Sequence, residues 1–304
     1  ESLKMAMLQK PKIIVVLGPT ASGKSDLGVL LAKKFNGEVI SADSRQGYKG
    51  LDIGTGKITA REMRGVPHHL LDVATPSTVF SATRYQKLGK AAISKILKKG
   101  KMPIIVGGTG LYIDSLIYNY PLPSVKPNPK LRKELEKIST EELFNRLKKL
   151  DPQRALNIDR KNPRRLIRAL EIFSEQPIPS YDSVLRKESP YEVWKIGIRK
   201  DSGALKALIH KRLEKRIRQG LVKEVEKLLK NKLVTHKRLE ELGLEYRYVS
   251  RYLRGEINKK EMMDQLELEI NKYAKRQMTW FKRDKEIHWI EYSKKLSDNP
   301  FLFL

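Results

Sequence analysis

The chain contains no cysteine, which excludes disulfides, thiolate metal sites and a cysteine nucleophile. It has no apolar run near the ~20 residues that cross a bilayer, and its mean hydropathy is −0.50. Met5-Ala6-Met7-Leu8 is too short for the core of a signal peptide, so no membrane association and a cytoplasmic location are expected. Acidic residues are the other shortage. There are 35 Asp and Glu against 62 Lys and Arg, a net charge of +27. The excess is +10 in residues 1–120 and +17 in the remainder, so it is not a basic tail. Lys-rich thermophile surfaces usually balance their signs. A folded chain this basic repels itself unless it meets a polyanion, and nucleic acid is the expected partner.

What is present is first a phosphate cradle. The apolar run Ile13-Ile14-Val15-Val16-Leu17 leads into Gly18-Pro19-Thr20-Ala21-Ser22-Gly23-Lys24-Ser25, and a helical pattern follows to Phe35. Strand, GxxxxGK[ST] and helix in that order make a P-loop in its required context. Backbone N–H groups at the helix start form an anion site, and Lys24 adds a positive charge. Ser25 offers its hydroxyl to Mg²⁺, the cofactor expected with a bound di- or triphosphate.

Residues 1–120 alternate strand and helix signals. Strands are expected at 13–17, 38–42, near 69–73 and at 103–106, with helices at 24–35 and 82–98. Such alternation implies an α/β fold, a parallel sheet with helices on both faces, whose ligands sit at the carboxyl ends of the strands. The segments 18–25, 43–46 and 107–110 all fall at such ends. Four prolines in 121–130 mark a boundary. Residues 131–176 then read as helical, ended by Pro177-Ile178-Pro179-Ser180. One more strand is expected at 193–198, and helix from 202 on, with Leu205, Ile209, Leu213, Ile217, Leu221, Val225 and Leu228 on one face. The expected organisation is a P-loop core over 1–120 and 191–304, interrupted by a helical insertion at 121–190.

Among the remaining chemistry-bearing residues, Asp43 at a strand end fits a turn or cap, a water-mediated Mg²⁺ contact, or a general base beside the phosphates. The strand at 103–106 runs into Gly107-Gly108-Thr109 and not into an acid, which weakens an ordinary ATPase reading. No Asp-Asp-x-x-Asp stretch exists to bind diphosphate through a carboxylate–metal cluster. Arg164 and Arg168 stack at i, i+4 beside Arg165, and Arg212 and Arg216 repeat that spacing. The segment 272–283 mixes five basic residues with three aromatics, a composition that serves phosphates and unpaired bases equally well. His68 and His69 lack a second ligand cluster and read as structural.

Taken in order, the P-loop, Asp43-Ser44-Arg45-Gln46-Gly47-Tyr48, Asp52-Ile53-Gly54-Thr55-Gly56-Lys57, Pro67-His68-His69-Leu70, Gly107-Gly108-Thr109-Gly110-Leu111-Tyr112, Arg164-Arg165-Leu166-Ile167-Arg168-Ala169-Leu170-Glu171 and residues 273–281 resemble the tRNA dimethylallyltransferases over nearly the whole chain. The resemblance implies transfer of a dimethylallyl group from dimethylallyl diphosphate to N6 of adenosine 37, next to the anticodon, with release of diphosphate. It implies that the cradle Gly18 to Ser25 holds the diphosphate of a prenyl donor. It assigns catalysis to Asp43, Lys24, Thr109 and an arginine, Arg212 by position, with Arg216 the other choice. It gives tRNA contact to Asp43, Ser44, Arg45, Gln46, Arg164, Arg165, Leu166, Ile167, Arg168, Lys275, Arg276, Gln277 and Trp280. The partners implied are the tRNA anticodon stem-loop and dimethylallyl diphosphate, acting on a monomer. Three alternatives stay open on the residues alone: a P-loop kinase or ATPase, an RNA-binding protein with a relic P-loop, and a prenyltransferase acting on free adenine nucleotides.

Overall fold

The computed structural model describes residues 10–118, 122–123, 125–176 and 188–292. The segment 177–180 expected to end the insertion helix lies outside them, as do the residues around Met5. The chain divides into two compact units, residues 1–117 with 189–304, and residues 118–188.

The first unit is built on six strands: β1 (Lys12–Leu17), β2 (Gly37–Ala42), β3 (His68–His69), β4 (Met102–Gly107), β5 (Glu192–Arg199) and β6 (His288–Glu291). They form one sheet in the order β3-β2-β4-β1-β5-β6, and every adjacent pair is parallel. Parallel neighbours need crossovers, which helices supply. In chain order these are α1 (Lys24–Lys34), α2 (Ala60–Met63), α3 (Ala82–Lys98) and α4 (Gly110–Ile117). Burial on both faces explains why the central strands read as continuous apolar runs. Ile14, Val16, Val39, Ile104 and Val106 pack with Leu27, Val29 and Leu31 of α1, while Ile13, Val15, Ile40 and Ile105, of the other parity, are buried as well.

The topology decides where the loops go. β2, β4 and β1 are contiguous, and Gly107 is in register with both Leu17 and Ala42. The loops that start at Gly18, Asp43 and Gly108 therefore leave the sheet from one row. Two strand spacings separate the first from the second, about 10 Å. Gly107 has to be glycine, because a Cβ there would lie 2.1 Å from the Ala42 carbonyl oxygen.

The 118–188 unit is helical: α5 (Pro129–Leu135), α6 (Thr140–Leu150), α7 (Pro152–Asn157) and α8 (Pro163–Glu175). Its core is Leu135, Leu143, Leu147, Leu166, Ile167, Ala169 and Leu170. The helical stretch expected over 131–176 is thus four helices. Ser139, Asp151 and Asn162 each cap a helix N-terminus with a side-chain oxygen, and Pro152 and Pro163 take the first helical positions, where proline costs no hydrogen bond.

The first unit ends in α9 (Ser202–Arg218), α10 (Leu221–Lys230), α11 (His236–Leu242), α12 (Leu244–Leu253) and α13 (Lys259–Phe281), followed by β6. The single helical face expected from Leu205 to Leu228 is split at Gly220, where φ is 100°. The strand expected near 69–73 is only His68–His69, because Leu70 and Asp72 take positive φ values of 65° and 56° and turn the chain away. Edge strand β6 has no counterpart in the sequence reading. Among the described residues no helix is long and apolar enough to cross a membrane.

Candidate active site

The three strand-end loops are tied to one another by side chains from opposite ends of the chain. Asp43 Oδ1 accepts from the backbone N–H of Arg45 at 2.7 Å and Gln46 at 3.2 Å, an Asx turn that fixes its carboxylate. Its other oxygen has no partner among the described residues. Thr109 Oγ1 accepts from Ser44 N–H at 3.2 Å, which joins the β4 loop to the β2 loop. Burial and the Asp43 charge hold the Tyr85, Tyr112 and Tyr273 hydroxyls above their ordinary pKa, so all three stay neutral around this carboxylate.

The P-loop carries unneutralised positive charge. Lys24, in the first turn of α1, donates back to the Pro19 carbonyl within the loop. Its pKa is pulled down to about 7, first by burial and then by the nearby Arg212 guanidinium, with Asp43 opposing. Arg212 on α9 is pulled down to about 10, by burial and by Arg216, and remains charged at neutral pH. Arg216 is buried in an ion pair with Glu245. Among the described residues no carboxylate lies within ion-pair distance of Lys24 or Arg212. This separates the two candidate arginines: Arg216 is neutralised, and Arg212 is the one whose charge acts on the loop. Ser22 Oγ is 1% exposed and has no hydrogen-bond partner, a buried donor left for a phosphate oxygen. Gly18 and Pro19 are buried, while Thr20, Ala21 and Gly23 are half-buried.

Ser25 is exposed at the start of α1 and lines a small cavity with Ser41 and Gln46. Among the described residues no group of three His, Asp or Glu could hold a metal by itself. A lone hydroxyl beside a phosphate cradle nevertheless suits Mg²⁺, which takes most of its ligands from water and phosphate oxygens.

The residues expected to touch tRNA divide sharply. Arg164 and Arg165 are exposed at the N-terminus of α8, and Lys275 and Arg276 are exposed on α13. Ser44, Arg45 and Gln46 are half-buried in the β2 loop. Asp43 and Trp280 are also half-buried, while Leu166, Ile167, Arg168 and Gln277 need correction as direct contacts. Leu166 and Ile167 are buried in the core of the 118–188 unit. Arg168 is held by Glu171 and by the Val125 carbonyl. Gln277 is buried and bridges two loops: its Oε1 accepts from Thr20 N–H at 2.8 Å, and its Nε2 donates to the Gly108 carbonyl at 2.9 Å. Trp280 lies against Gly110 and donates to Asp114 Oδ2 at 3.0 Å, with Arg283 stacked 4.1 Å over its ring. The amphipathic α13 thus turns Phe281 inward and its cations outward, as the mixed composition allowed. His69 pairs with the buried Glu38 at 2.7 Å, and His68 bonds the Val66 carbonyl, both structural ties.

Sequence reasoning missed Glu224, Tyr246 and the bridging role of Gln277. The one available signal was Asp52-Ile53-Gly54-Thr55-Gly56-Lys57, whose two glycines had no assigned purpose.

The family model described as IPP transferase matches residues 46–284. A tRNA dimethylallyltransferase of Anoxybacillus flavithermus is 41% identical over 282 residues, covering 92% of this chain and 90% of that protein. The crystal structure of a full-length tRNA isopentenylpyrophosphate transferase from Bacillus halodurans aligns with a TM-score of 0.70 at 38% identity, over 93% of this chain and 90% of that one. A eukaryotic dimethylallyltransferase acting on tRNA aligns with a TM-score of 0.78 at 26% identity, over 95% and 76% of the two chains. The phosphate loop, the carboxylate two strands away on the same row of loops and a similarity that runs along nearly the whole chain lead to one conclusion: the chain belongs to the IPP transferase family, that of the tRNA dimethylallyltransferases.

Proposed function

We infer that this enzyme moves a dimethylallyl group from dimethylallyl diphosphate to N6 of adenosine 37, beside the tRNA anticodon. The observation that carries the reading is the pair Lys24 and Arg212, two cations without a carboxylate at a P-loop, whose fields also reach Asp43.

The roles follow from charge flow. The exocyclic amine attacks C1 of the prenyl group, and the C1–O bond breaks with its electron pair passing to diphosphate. Lys24, Arg212, the loop amides and Ser22 stabilise the charge that accumulates there. Mg²⁺, held by Ser25 and phosphate oxygens, would neutralise part of it. The N6 proton passes to the unpartnered oxygen of Asp43, whose other oxygen is fixed by two backbone N–H groups. Thr109 sets the spacing of the β4 loop against the β2 loop. The spacing of about 10 Å between the loops of β1 and β2 leaves room for a phosphate, a short prenyl chain and the edge of a base. A base in an unpaired loop costs only a few kcal/mol to extrude into such a site. The first unit offers Arg45, Lys275 and Arg276 to the phosphates of the RNA, and the 118–188 unit offers Arg164 and Arg165.

Incubation with labelled dimethylallyl diphosphate, Mg²⁺ and total tRNA, followed by nucleoside analysis, tests this. N6-dimethylallyladenosine at position 37 is expected. Label on AMP but not on tRNA, or ATP turnover without consumption of the prenyl donor, overturns it.

A further inference from the structure

The loop 52–57 carries none of the roles above, yet it is heavily anchored. Glu224, in the first turn of α10, accepts from three successive backbone N–H groups: Asp52 at 3.1 Å, Ile53 at 2.7 Å and Gly54 at 3.1 Å. A fourth donor, the hydroxyl of buried Tyr246, reaches the same carboxylate at 2.9 Å. A carboxylate that receives four donors is a fixed point, because charge-assisted hydrogen bonds are the strong ones.

What the loop holds is the catalytic cation. The Gly56 carbonyl accepts from Arg212 Nη2 at 3.5 Å and from Gln46 Nε2 at 3.3 Å, so one peptide group touches both the diphosphate arginine and the loop that carries Asp43. The glycines have steric causes. A Cβ on Gly56 would lie 2.3 Å from the Nη2 atoms of Arg212 and Arg216, and one on Gly54 would lie 2.6 Å from the Tyr246 ring. Residue 245, next to Tyr246, neutralises Arg216. The start of α12 therefore settles both arginines, one by an ion pair and the other through Glu224 and the loop. Lys57 closes the far side of the loop, bonding Asp52 and Asp72 at 2.6 Å and the Tyr48 carbonyl at 2.8 Å.

We propose that Glu224 and Tyr246 are positioning residues for the transfer reaction, holding loop 52–57 so that its Gly56 carbonyl aims Arg212 at the leaving diphosphate. The inference rests on Arg212 being that cation. Like charges drive Arg212 away from Lys24 and Arg216. A hydrogen-bond acceptor on a rigid loop keeps the guanidinium in place without neutralising it, as a carboxylate would.

The test is a double-mutant cycle of Glu224→Gln and Arg212→Ala, read by kcat and by the Kd of inorganic diphosphate. Glu224→Gln is expected to lower kcat about tenfold or more and to weaken diphosphate several-fold, with tRNA affinity within about twofold, since only the leaving-group side is disturbed. In the Arg212→Ala background the same substitution has little further effect, because both act through one guanidinium. Equal losses in both backgrounds, or unchanged kcat in folded Glu224→Gln protein, overturn the proposal. Tyr246→Phe removes one donor and leaves the carboxylate and the loop, so it answers the question if Glu224→Gln does not fold: a smaller kcat loss, again abolished by Arg212→Ala, is expected, and wild-type kcat refutes the clamp. If Arg212→Ala itself leaves kcat and diphosphate binding intact, the assignment of Arg212 fails, a result distinct from failure of the clamp.

Discussion

In the 118–188 unit, two arginines converge on one buried carboxylate; around the P-loop, two cations converge on none among the described residues. Glu171, fully buried on α8, takes Arg132 and Arg168 together and also accepts from the Asn128 N–H. Among the described residues, Lys24 and Arg212 donate to carbonyls. The first arrangement satisfies its own charges and stabilises a fold. The second keeps its charges unsatisfied and so favours an incoming anion, at the expense of burial and a neighbouring like charge, Arg212 for Lys24 and Arg216 for Arg212, that pull down both pKa values. Basic residues of equal appearance in the sequence thus do opposite work, and the presence of an acidic partner decides which.

The comparison breaks most readily at Asp43. Asp43→Ala is expected to keep tRNA affinity and lose about 10²–10⁴ in turnover, the usual range for a positioned base; near-normal single-turnover rates would remove it from the mechanism. On the structural side, Glu171→Ala leaves two arginines around a buried hole and is expected to destabilise the protein by about 3–5 kcal/mol, as urea unfolding would show. Glu171 is held down to about 2, by hydrogen bonds from Arg132, Asn128 and Arg168 that outweigh its burial. A depressed carboxylate stabilises the native state above its unfolded pKa, so this contribution is expected to fade as the pH falls from about 4.5 through about 2. A flat stability profile across that window would contradict the pairing.

Arg212→Ala is the mirror experiment. It is expected to cost about 10²–10³ in kcat, as loss of one charge stabiliser does, with no loss of stability, because it relieves repulsion at Lys24. A smaller effect belongs to Lys24 itself. Its pKa of about 7 in the free protein means that it is partly neutral at mild alkaline pH, and an arriving diphosphate restores the charged form. Calorimetry at pH 8 in buffers of different ionisation enthalpy should register proton uptake on diphosphate binding, of up to about one proton per site; the Lys24→Met variant should lose it. The smallest effect is at the exposed cations. Arg164→Ala and Arg165→Ala are each expected to lower the log–log salt slope of RNA binding by about 0.7–0.9. Arg168→Ala should leave that slope unchanged and lower stability instead, since its charge is committed to Glu171.

Much of this protein was legible in advance because the signals are local. Strand, glycine loop and helix lie within 13–34, and a helix cap such as Asn162 sits next to the proline it precedes. Unbroken apolar runs announced strands buried on both sides. Leu166, Ile167, Arg168 and Gln277 were misread for one reason. They stand in basic or amphipathic segments whose pattern identifies a helix, while the pattern does not say which residues the helix turns inward or which partner it finds.

The sequence by itself determined the P-loop, the parallel sheet, the helical insertion and the excess of positive charge, because each rests on residue types within a few positions of one another. Only the tertiary structure decided which cations stay unneutralised, that Gln277 reaches Thr20, 257 positions away, and ties it to Gly108, and that Glu224 grips a loop some 170 residues away. Charge and hydrogen bonding act over a few ångströms of space, and distance along the chain gives no measure of that.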